Sequence, residues 1–302
     1  MIYTVTLNPG IDYNLTANSM EYGKTNRCHD EYFVPGGKGL NVSVILSKFD
    51  EPTTAFGFVS GFTGQELIRM MEEMNVPCDF VDVEEGFTRI NVKVAFGKIT
   101  EYNGAGISLK EEHIKELEEK IAALTEEDML IMSGSIPKGA DSGIYARLMA
   151  ATKAKTVLDT SGEALIKGLP YHPFLIKPND EEIAAFSDGP ITGMDDMIAT
   201  ARKLQAAGAE NVMVSLGADG AFLVASDGNV YSAAPPRVTE DLPLNSVAAG
   251  DSMLGGFIHA WHQTPEDFEE ILKFSVATGT AAAFSRWIPE AEFAYRLYDR
   301  MQ

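Results

Sequence analysis

Toward the carboxyl terminus the run Asn245-Ser-Val-Ala-Ala-Gly-Asp251-Ser-Met leads small residues into a helix whose Met253, Phe257 and Trp261 share one side. A helix start leaves its first N–H groups without partners and so attracts anions, and an Asp placed there can face an incoming hydroxyl. The same Asp251 would equally serve as a cap or charge complement for the helix dipole, with no chemistry at all. A second run, Pro35-Gly-Gly-Lys38-Gly-Leu-Asn41, combines three glycines that let the backbone approach a ligand with one cation and one amide. Its spacing is not that of a Walker A loop, and a Gly-rich turn before a helix is usually only a turn.

The elements that must carry these residues alternate. Tyr3 to Leu7 reads as a buried strand, and Val42, Ile45, Leu46 and Phe49 then follow the helical period. Thr54 to Val59 gives a second strand, with a helix expected from Thr63, where Glu66 would complete a capping box and Leu67, Met71 and Met74 form one face. Ser108 and Glu111 suggest another capping box ahead of Ile114, Leu117, Ile121 and Leu124. Strands are expected at Met129 to Met132, Thr156 to Leu158, Phe174 to Ile176, Asn211 to Leu216 and Ala221 to Val224, before a helical quarter from Ala249. This is the pattern of an α/β protein with a mostly parallel central sheet flanked by helices.

Tyr13 to Val34 and Arg89 to Tyr102 break the alternation, and Arg89-Ile-Asn-Val-Lys-Val-Ala-Phe has period two. They read as a small separate sheet, with strands from about 12–34 and 87–106, inserted in a single domain spanning 1–302 and able to serve as a lid over the carboxyl ends of the parallel strands.

The formal charge of −20, from 44 acidic and 24 scattered basic residues, argues against nucleic acid or an anionic membrane as partner. Anions must then be met by a few local cations and backbone N–H groups, because the overall field repels them beyond about 8 Å. Cys28 and Cys78 have neither metal-ligand nor CxxC spacing and suggest free thiols in a reducing compartment. With no signal-peptide pattern before Asn8-Pro9 and no apolar run of about 20 residues, a cytoplasmic protein is expected.

Six segments in order resemble the PfkB (ribokinase-like) carbohydrate kinases: Thr6-Leu-Asn-Pro with Ile11-Asp12, Pro35 to Asn41, Ser133-Gly-Ser-Ile-Pro, Lys177-Pro-Asn-Asp-Glu-Glu182, Val214 to Ala221 and Val247 to Ser252. Gly-Gly-Lys-Gly together with Thr88-Arg-Ile-Asn is most similar to the 1-phosphofructokinase and tagatose-6-phosphate kinase branch. The resemblance implies ATP-dependent phosphorylation of a ketohexose phosphate, foremost fructose 1-phosphate to fructose 1,6-bisphosphate, with tagatose 6-phosphate as the alternative substrate. A sugar-phosphate-binding regulatory protein without catalysis is the alternative from another class.

The resemblance also implies residue roles. Asp251 is the base, and Ala248, Ala249 and Gly250 form the anion hole. Asp12, Gly36, Gly37, Asn41 and Ser133 meet the sugar, with Lys24, Arg27, Lys38 and Arg89 as candidates for its existing phosphate. Ser215, Leu216, Gly217, Ala218, Asp219 and Gly220 meet ATP. Asn179 and Glu182 help hold magnesium through water, although acids in a first helical turn favour the dipole without a metal. A homodimer through the lid is implied as well. The five histidines match none of these motifs and read as structural or surface residues.

An Asp with an ordinary pKa of about 3.9 is ionised at neutral pH and is a weak base, which suffices where the hydroxyl turns acidic only as its bond to phosphorus forms. Three departures from the resembled pattern stand out: Ala248 where Gly is usual, Gly10 where Ser is usual, and Arg286-Trp-Ile-Pro at the expected nucleotide-side rim. If position 248 needs positive φ, Ala costs about 1 kcal/mol there, and retuned turnover is expected.

Overall fold

Central strands of this protein are apolar on both faces, and their period-two alternation divides them between two cores. Leu130 and Met132 join one buried cluster, while Met129 and Ile131 join the other. Val212 and Val214 likewise face away from Met213. A strand of that kind must lie between two helical layers.

The computed structural model describes residues 1–302 apart from Lys138, Asp241, Pro243, Ser246 and Glu266, so Ser246 of the Asn245 to Met253 run lies outside the described residues. In chain order the elements are β1 (Ile2–Thr6), β2 (Gly10–Ala17), β3 (Cys28–Gly36), α1 (Lys38–Lys48), β4 (Thr53–Val59), α2 (Gly61–Glu72), β5 (Val81–Asp82), β6 (Arg89–Phe96) and β7 (Lys98–Tyr102). There follow α3 (Glu111–Ala122), β8 (Met129–Ser133), α4 (Ile144–Ala151), β9 (Lys155–Asp159), α5 (Gly162–Gly168), β10 (Leu175–Ile176), α6 (Asp180–Ala184) and α7 (Met194–Ala206). The chain closes with β11 (Asn211–Ser215), β12 (Ala221–Val224), β13 (Val230–Ala233), α8 (Ala249–Gln263), α9 (Phe268–Ala283) and α10 (Ala291–Asp299).

The large sheet has the order β13-β12-β11-β10-β9-β8-β1-β4-β5, parallel from β5 to β11 and antiparallel at β12 and β13. The expected mostly parallel sheet is therefore present. A second sheet, β3-β2-β6-β7, is built from the two stretches that broke the alternation.

Two helix starts differ from expectation. α2 begins at Gly61 behind Ser60, and Glu66 pairs with Arg69 at 2.6 Å instead of capping. The Thr63 hydroxyl donates to the Thr88 carbonyl at 2.7 Å, so it is not free to cap. α3 begins at Glu111 behind Lys110, whose N–H is accepted by His113 Nδ1 at 3.0 Å. His259 is also structural, held between Glu51 Oε1 at 2.7 Å and the Tyr295 hydroxyl at 2.8 Å.

α8 is buried along most of its length between α1 and α9. Close packing is possible because Gly255 and Gly256 face Ile45 and Thr278, where an added Cβ would lie 2.2 and 2.5 Å from the nearest atoms. The helix that bears Asp251 is thus seated firmly on the core.

Candidate active site

The chain enters α8 through Ala248 in the left-handed region, φ 61° and ψ 6°. Left-handed then right-handed residues turn successive N–H groups toward one concavity, a nest for an anion. Ser252 N donates to the Ala248 carbonyl at 2.8 Å, which leaves the N–H groups of Ala249, Gly250 and Asp251 without an intrahelical acceptor. The other positive-φ residues that are not glycine are Asp30, Asp50, Asn75 and His172, types that tolerate this region; among the described residues Ala248 alone lacks a polar side chain there. The condition posed by the sequence is met.

Asp251 is 7% exposed, and its Oδ2 accepts from Asn41 Nδ2 at 2.7 Å. Burial first, and then the neighbouring Asp159 carboxylate, push its pKa up, while Lys38, the Asn41 amide and Lys177 oppose the rise. This corrects the expectation of an ordinary, weakly basic aspartate: the buried carboxylate is the stronger base. Asp159, fully buried at the end of β9, is approached on Oδ1 by Lys38 Nζ at 3.4 Å and Lys177 Nζ at 3.5 Å. The Asp159 carboxylate holds the Lys38 pKa above its ordinary value, against burial. Lys177 Nζ also lies 3.3 Å from where a Cβ would stand on Gly250, so its charge sits beside the nest.

A cavity of about 850 Å³ opens in front of this group. Its wall includes Lys38, Lys177, Ala248 to Asp251, and Ser215, Gly217, Ala218 and Gly220 of the turn after β11. Leu216 instead packs against the core, and Asp219 is not part of the wall. Pro235, Pro236 and Val238, with Val276, Ala283 and Phe284 toward the end of α9, supply an apolar side that the sequence did not point to. The volume is suited to a ligand of nucleotide size.

Asn179, Asp180 and Glu182 line the same cavity. Asn179 and Glu182 cap each other: Asn179 Oδ1 accepts from Glu182 N at 2.7 Å, and Glu182 Oε2 accepts from Asn179 N at 2.9 Å. This is a reciprocal capping box, which leaves Glu182 Oε1 and the Asp180 carboxylate for a hard cation or its water. Hard carboxylate oxygens of this kind fit magnesium arriving on a nucleotide, which takes one or two protein carboxylates and keeps several waters.

Asp12 belongs to the small sheet. Asn91 Nδ2 donates to its Oδ1 at 2.8 Å, and Lys93 Nζ pairs with its Oδ2 at 2.8 Å. Gly36 allows the approach, because a Cβ there would stand 2.3 Å from Asp12 Oδ1. Arg89 is half-buried nearby, with Nη1 donating to Gly104 O at 3.4 Å and Nε without a partner among the described residues; burial lowers its pKa, and Asp12 resists. Gly10 is explained by the same arginine, since a Cβ there would lie 2.9 Å from both the Arg89 carbonyl oxygen and its Cγ.

The fold therefore gathers Asp251, Asn41, Lys38 and the nest on one side of the 36–41 turn, and Asp12 with Arg89 on the other. Lys38 lines the cavity and pairs with Asp159, and is not beside Asp12, because it opens α1 and reaches toward the end of β9. Ser133 is fully buried, and its hydroxyl has no partner among the described residues. Lys24 and Arg27 are exposed beyond the Ala17–Cys28 pair at the far end of the small sheet, whereas Asp12 lies near its Gly10–Gly36 end. Within one chain they do not meet Asp12. Asp159, Lys177, Asn91, Lys93 and Trp287 were missed as site residues. Trp287 does not join the nucleotide rim; its Nε1 donates to Asn41 Oδ1 at 3.2 Å.

Comparison with known proteins places this geometry in context. The family described as pfkB family carbohydrate kinase matches residues 6–286. The 1-phosphofructokinase of Bacillus subtilis (strain 168) is 39% identical over 98% of this chain and 97% of its own. The D-tagatose-1-phosphate kinase of Bacillus licheniformis is 33% identical over 95% and 93%. Phosphofructokinase-2 from Escherichia coli, solved in complex with fructose-6-phosphate, superposes with a TM-score of 0.89 at 30% identity, covering 99% of this chain and 98% of its own.

Proposed function

This chain belongs to the pfkB family of carbohydrate kinases, and on that footing we propose that it transfers the γ-phosphoryl group of ATP to fructose 1-phosphate, giving fructose 1,6-bisphosphate. The observation that carries the reading is the buried Asp251 carboxylate at the mouth of an N–H nest, on the wall of a nucleotide-sized cavity that also holds Lys38 and Lys177. Two relatives are named for ketohexoses phosphorylated on C1, so the alternative sugar becomes tagatose 1-phosphate rather than tagatose 6-phosphate.

In this mechanism the sugar's free 6-hydroxyl lies against Asp251. Its oxygen forms a bond to the γ-phosphorus as the bond from phosphorus to the bridging oxygen of ADP breaks, and its proton passes to Asp251. The N–H groups of Ala249 and Gly250 and the Lys177 ammonium meet the charge on the moving group, where preorganised donors contribute most. Magnesium, held through water by Glu182 and Asp180, would screen the nucleotide phosphates. Asp12 orients the sugar hydroxyls, and Arg89, with Lys93 beside it, takes the phosphate already present.

We read the small sheet as a lid and as the face of a homodimer, because Phe33, Ile90, Phe96, Ile99 and Tyr102 are exposed on it. No described helix is long and apolar enough to cross a membrane, and both cysteines are free, with burial pushing the Cys78 thiol up to about 12. A cytoplasmic site of action fits these features.

The test is ADP release with fructose 1-phosphate, tagatose 1-phosphate, tagatose 6-phosphate, fructose 6-phosphate and ribose, with Asp251→Ala as control. Fructose 1-phosphate is expected to give the highest kcat/KM. Binding of a sugar phosphate with no turnover on any of these would replace the kinase by a regulatory binder.

A further inference from the structure

Asn41 lies 210 residues from Asp251 and 246 from Trp287, yet its amide bridges the two. Its Nδ2 donates to Asp251 Oδ2 at 2.7 Å, and its Oδ1 accepts from Trp287 Nε1 at 3.2 Å. The two ends of an amide are nearly equal in size, so sterics alone do not choose between this orientation and its reverse. The chemistry of the partners does. An indole nitrogen can only donate, and a carboxylate can only accept. Reversal would set an NH₂ group against the indole N–H and a carbonyl oxygen against the Asp251 carboxylate, both repulsive in a site where Asn41 is only 8% exposed.

We infer that Trp287 is a positioning residue, whose indole N–H fixes the Asn41 amide so that it presents an N–H group to the base. This rests on the reading of Asp251 as that base. Trp287 is not part of the cavity wall and packs against the cluster that contains Ile11, Leu40 and Val44, so it acts through Asn41.

Its own backbone is held from two sides. The carbonyl of Arg286 accepts from the Tyr32 hydroxyl at 3.3 Å and from Asn245 Nδ2 at 2.9 Å. The Arg286 guanidinium lies 3.9 Å over the Tyr32 ring. Tyr32 belongs to β3 of the small sheet, and Asn245 to the segment that leads into the nest, where its Oδ1 accepts from Val247 N at 3.1 Å. The indole is thus anchored jointly by the sheet over the sugar and by the approach to the anion hole.

The consequence lies in the protonation of Asp251. It is faced by Asp159 from β9, Lys38 from α1 and Lys177 after β10, and the Asn41 N–H is the one hydrogen bond it receives from a side chain among the described residues. Removing the indole donor releases the amide to rotate, and each rotated molecule puts a carbonyl oxygen where the carboxylate needs a donor. The proton is then held more tightly, and the acidic limb of the rate profile moves to higher pH.

The experiment compares Trp287→Phe with the wild type in the pH dependence of kcat/KM for the sugar phosphate, from about pH 5 to 9, a span chosen to bracket the second phosphate pKa of about 6. That substrate ionisation is common to both proteins, so the difference between them is the readout. The expected result is an acidic limb displaced upward by about half a unit, so that the loss reaches about threefold below the limb and vanishes as pH rises. A merely structural lesion would lower the whole profile without moving its limb.

Should Trp287→Phe fold poorly, a Trp261→Phe background grown with benzothienylalanine keeps the shape of the bicyclic ring at position 287 and replaces only the N–H by sulfur. An unmoved limb in the folded variants, with turnover that still depends on Asp251, overturns the positioning role alone. Turnover that survives in Asp251→Ala overturns the base and the positioning role together.

Discussion

Asp251 and Asp12 flank the same Gly36–Asn41 turn, and each has an asparagine amide and at least one lysine around it, yet they are wired in opposite ways. Asp12 is engaged on both oxygens, by Asn91 at 2.8 Å and Lys93 at 2.8 Å. Among the described residues Asp251 receives a side-chain hydrogen bond only from the Asn41 amide, while Lys38 and Lys177 turn to Asp159 at 3.4 and 3.5 Å. Under the proposed function, the first arrangement immobilises the carboxylate assigned to the sugar hydroxyls. The second withholds direct pairing from the carboxylate assigned the proton, and keeps two cations close enough to meet a phosphoryl group. In that reading similar residue types give a clamp on one side and a base on the other.

The comparison is broken most directly by neutralising each acid in turn. Asp251→Asn should lower kcat by about 10³-fold with little change in KM, whereas Asp12→Asn should act mainly on the KM for the sugar phosphate. The reverse pattern would exchange the two roles.

Asp251→Asn should also stabilise the fold near pH 7 to 8. A carboxyl whose folded pKa is raised binds its proton more tightly when folded, so wild-type stability falls as pH rises from the unfolded value toward the folded one. The asparagine variant escapes that fall. Thermal unfolding should show its Tm above that of the wild type at pH 8, with the gap closing at about pH 4; a lower Tm at pH 8 would mean that the environment favours the charged form.

The lysines sharpen the contrast. Lys177→Met leaves a fully buried Asp159 with Lys38 alone and should cost about 3 kcal/mol of unfolding free energy in urea titrations. Lys93→Met should cost less, since Asp12 keeps the Asn91 amide and both side chains of that pair are about 10% exposed. Equal costs would remove the distinction.

A smaller effect is expected from Ala248→Gly, which relieves the left-handed strain by about 1 kcal/mol and should raise turnover by letting the nest close on phosphate without a methyl group. An unchanged or lower kcat would show that the methyl does not limit catalysis. Smallest of all, Lys24→Ala and Arg27→Ala should raise the sugar-phosphate KM only if a second copy brings the far end of the small sheet to a site. An unchanged KM in both variants would deprive them of a binding role.

Much of this was legible in the chain because it is local. The α/β alternation, the interrupting small sheet and the Gly250-Asp251 helix start each depend on neighbours within a few residues. The partners of the acids are not local: Asn41 and Asp251, Lys38 and Asp159, and Asn91 and Asp12 are 210, 121 and 79 positions apart. Some signal was nevertheless present. The period-two run from Arg89 puts Asn91 and Lys93 on the same face as Arg89, and Asp159 directly follows the expected strand Thr156 to Leu158, where ligands gather. The mutual capping of Asn179 and Glu182 was also readable as Asn-x-x-Glu. Trp287 gave no such sign, because its role depends on a hydrogen bond that only tertiary packing creates.

The lysines at the nest have one more consequence, for the speed of encounter. A nucleotide carrying several negative charges approaches a molecule of net charge −20, and the attraction of Lys38 and Lys177 is felt only within the last few ångströms. Far from the site the field is a barrier. Moderate salt, which shortens its reach to about 8 Å, should therefore speed nucleotide capture, the opposite of the slowing seen where a protein steers its ligand. Lys38 and Lys177 thus act only at short range inside a repulsive shell, and the ionic strength of the surroundings is expected to set how often they are reached.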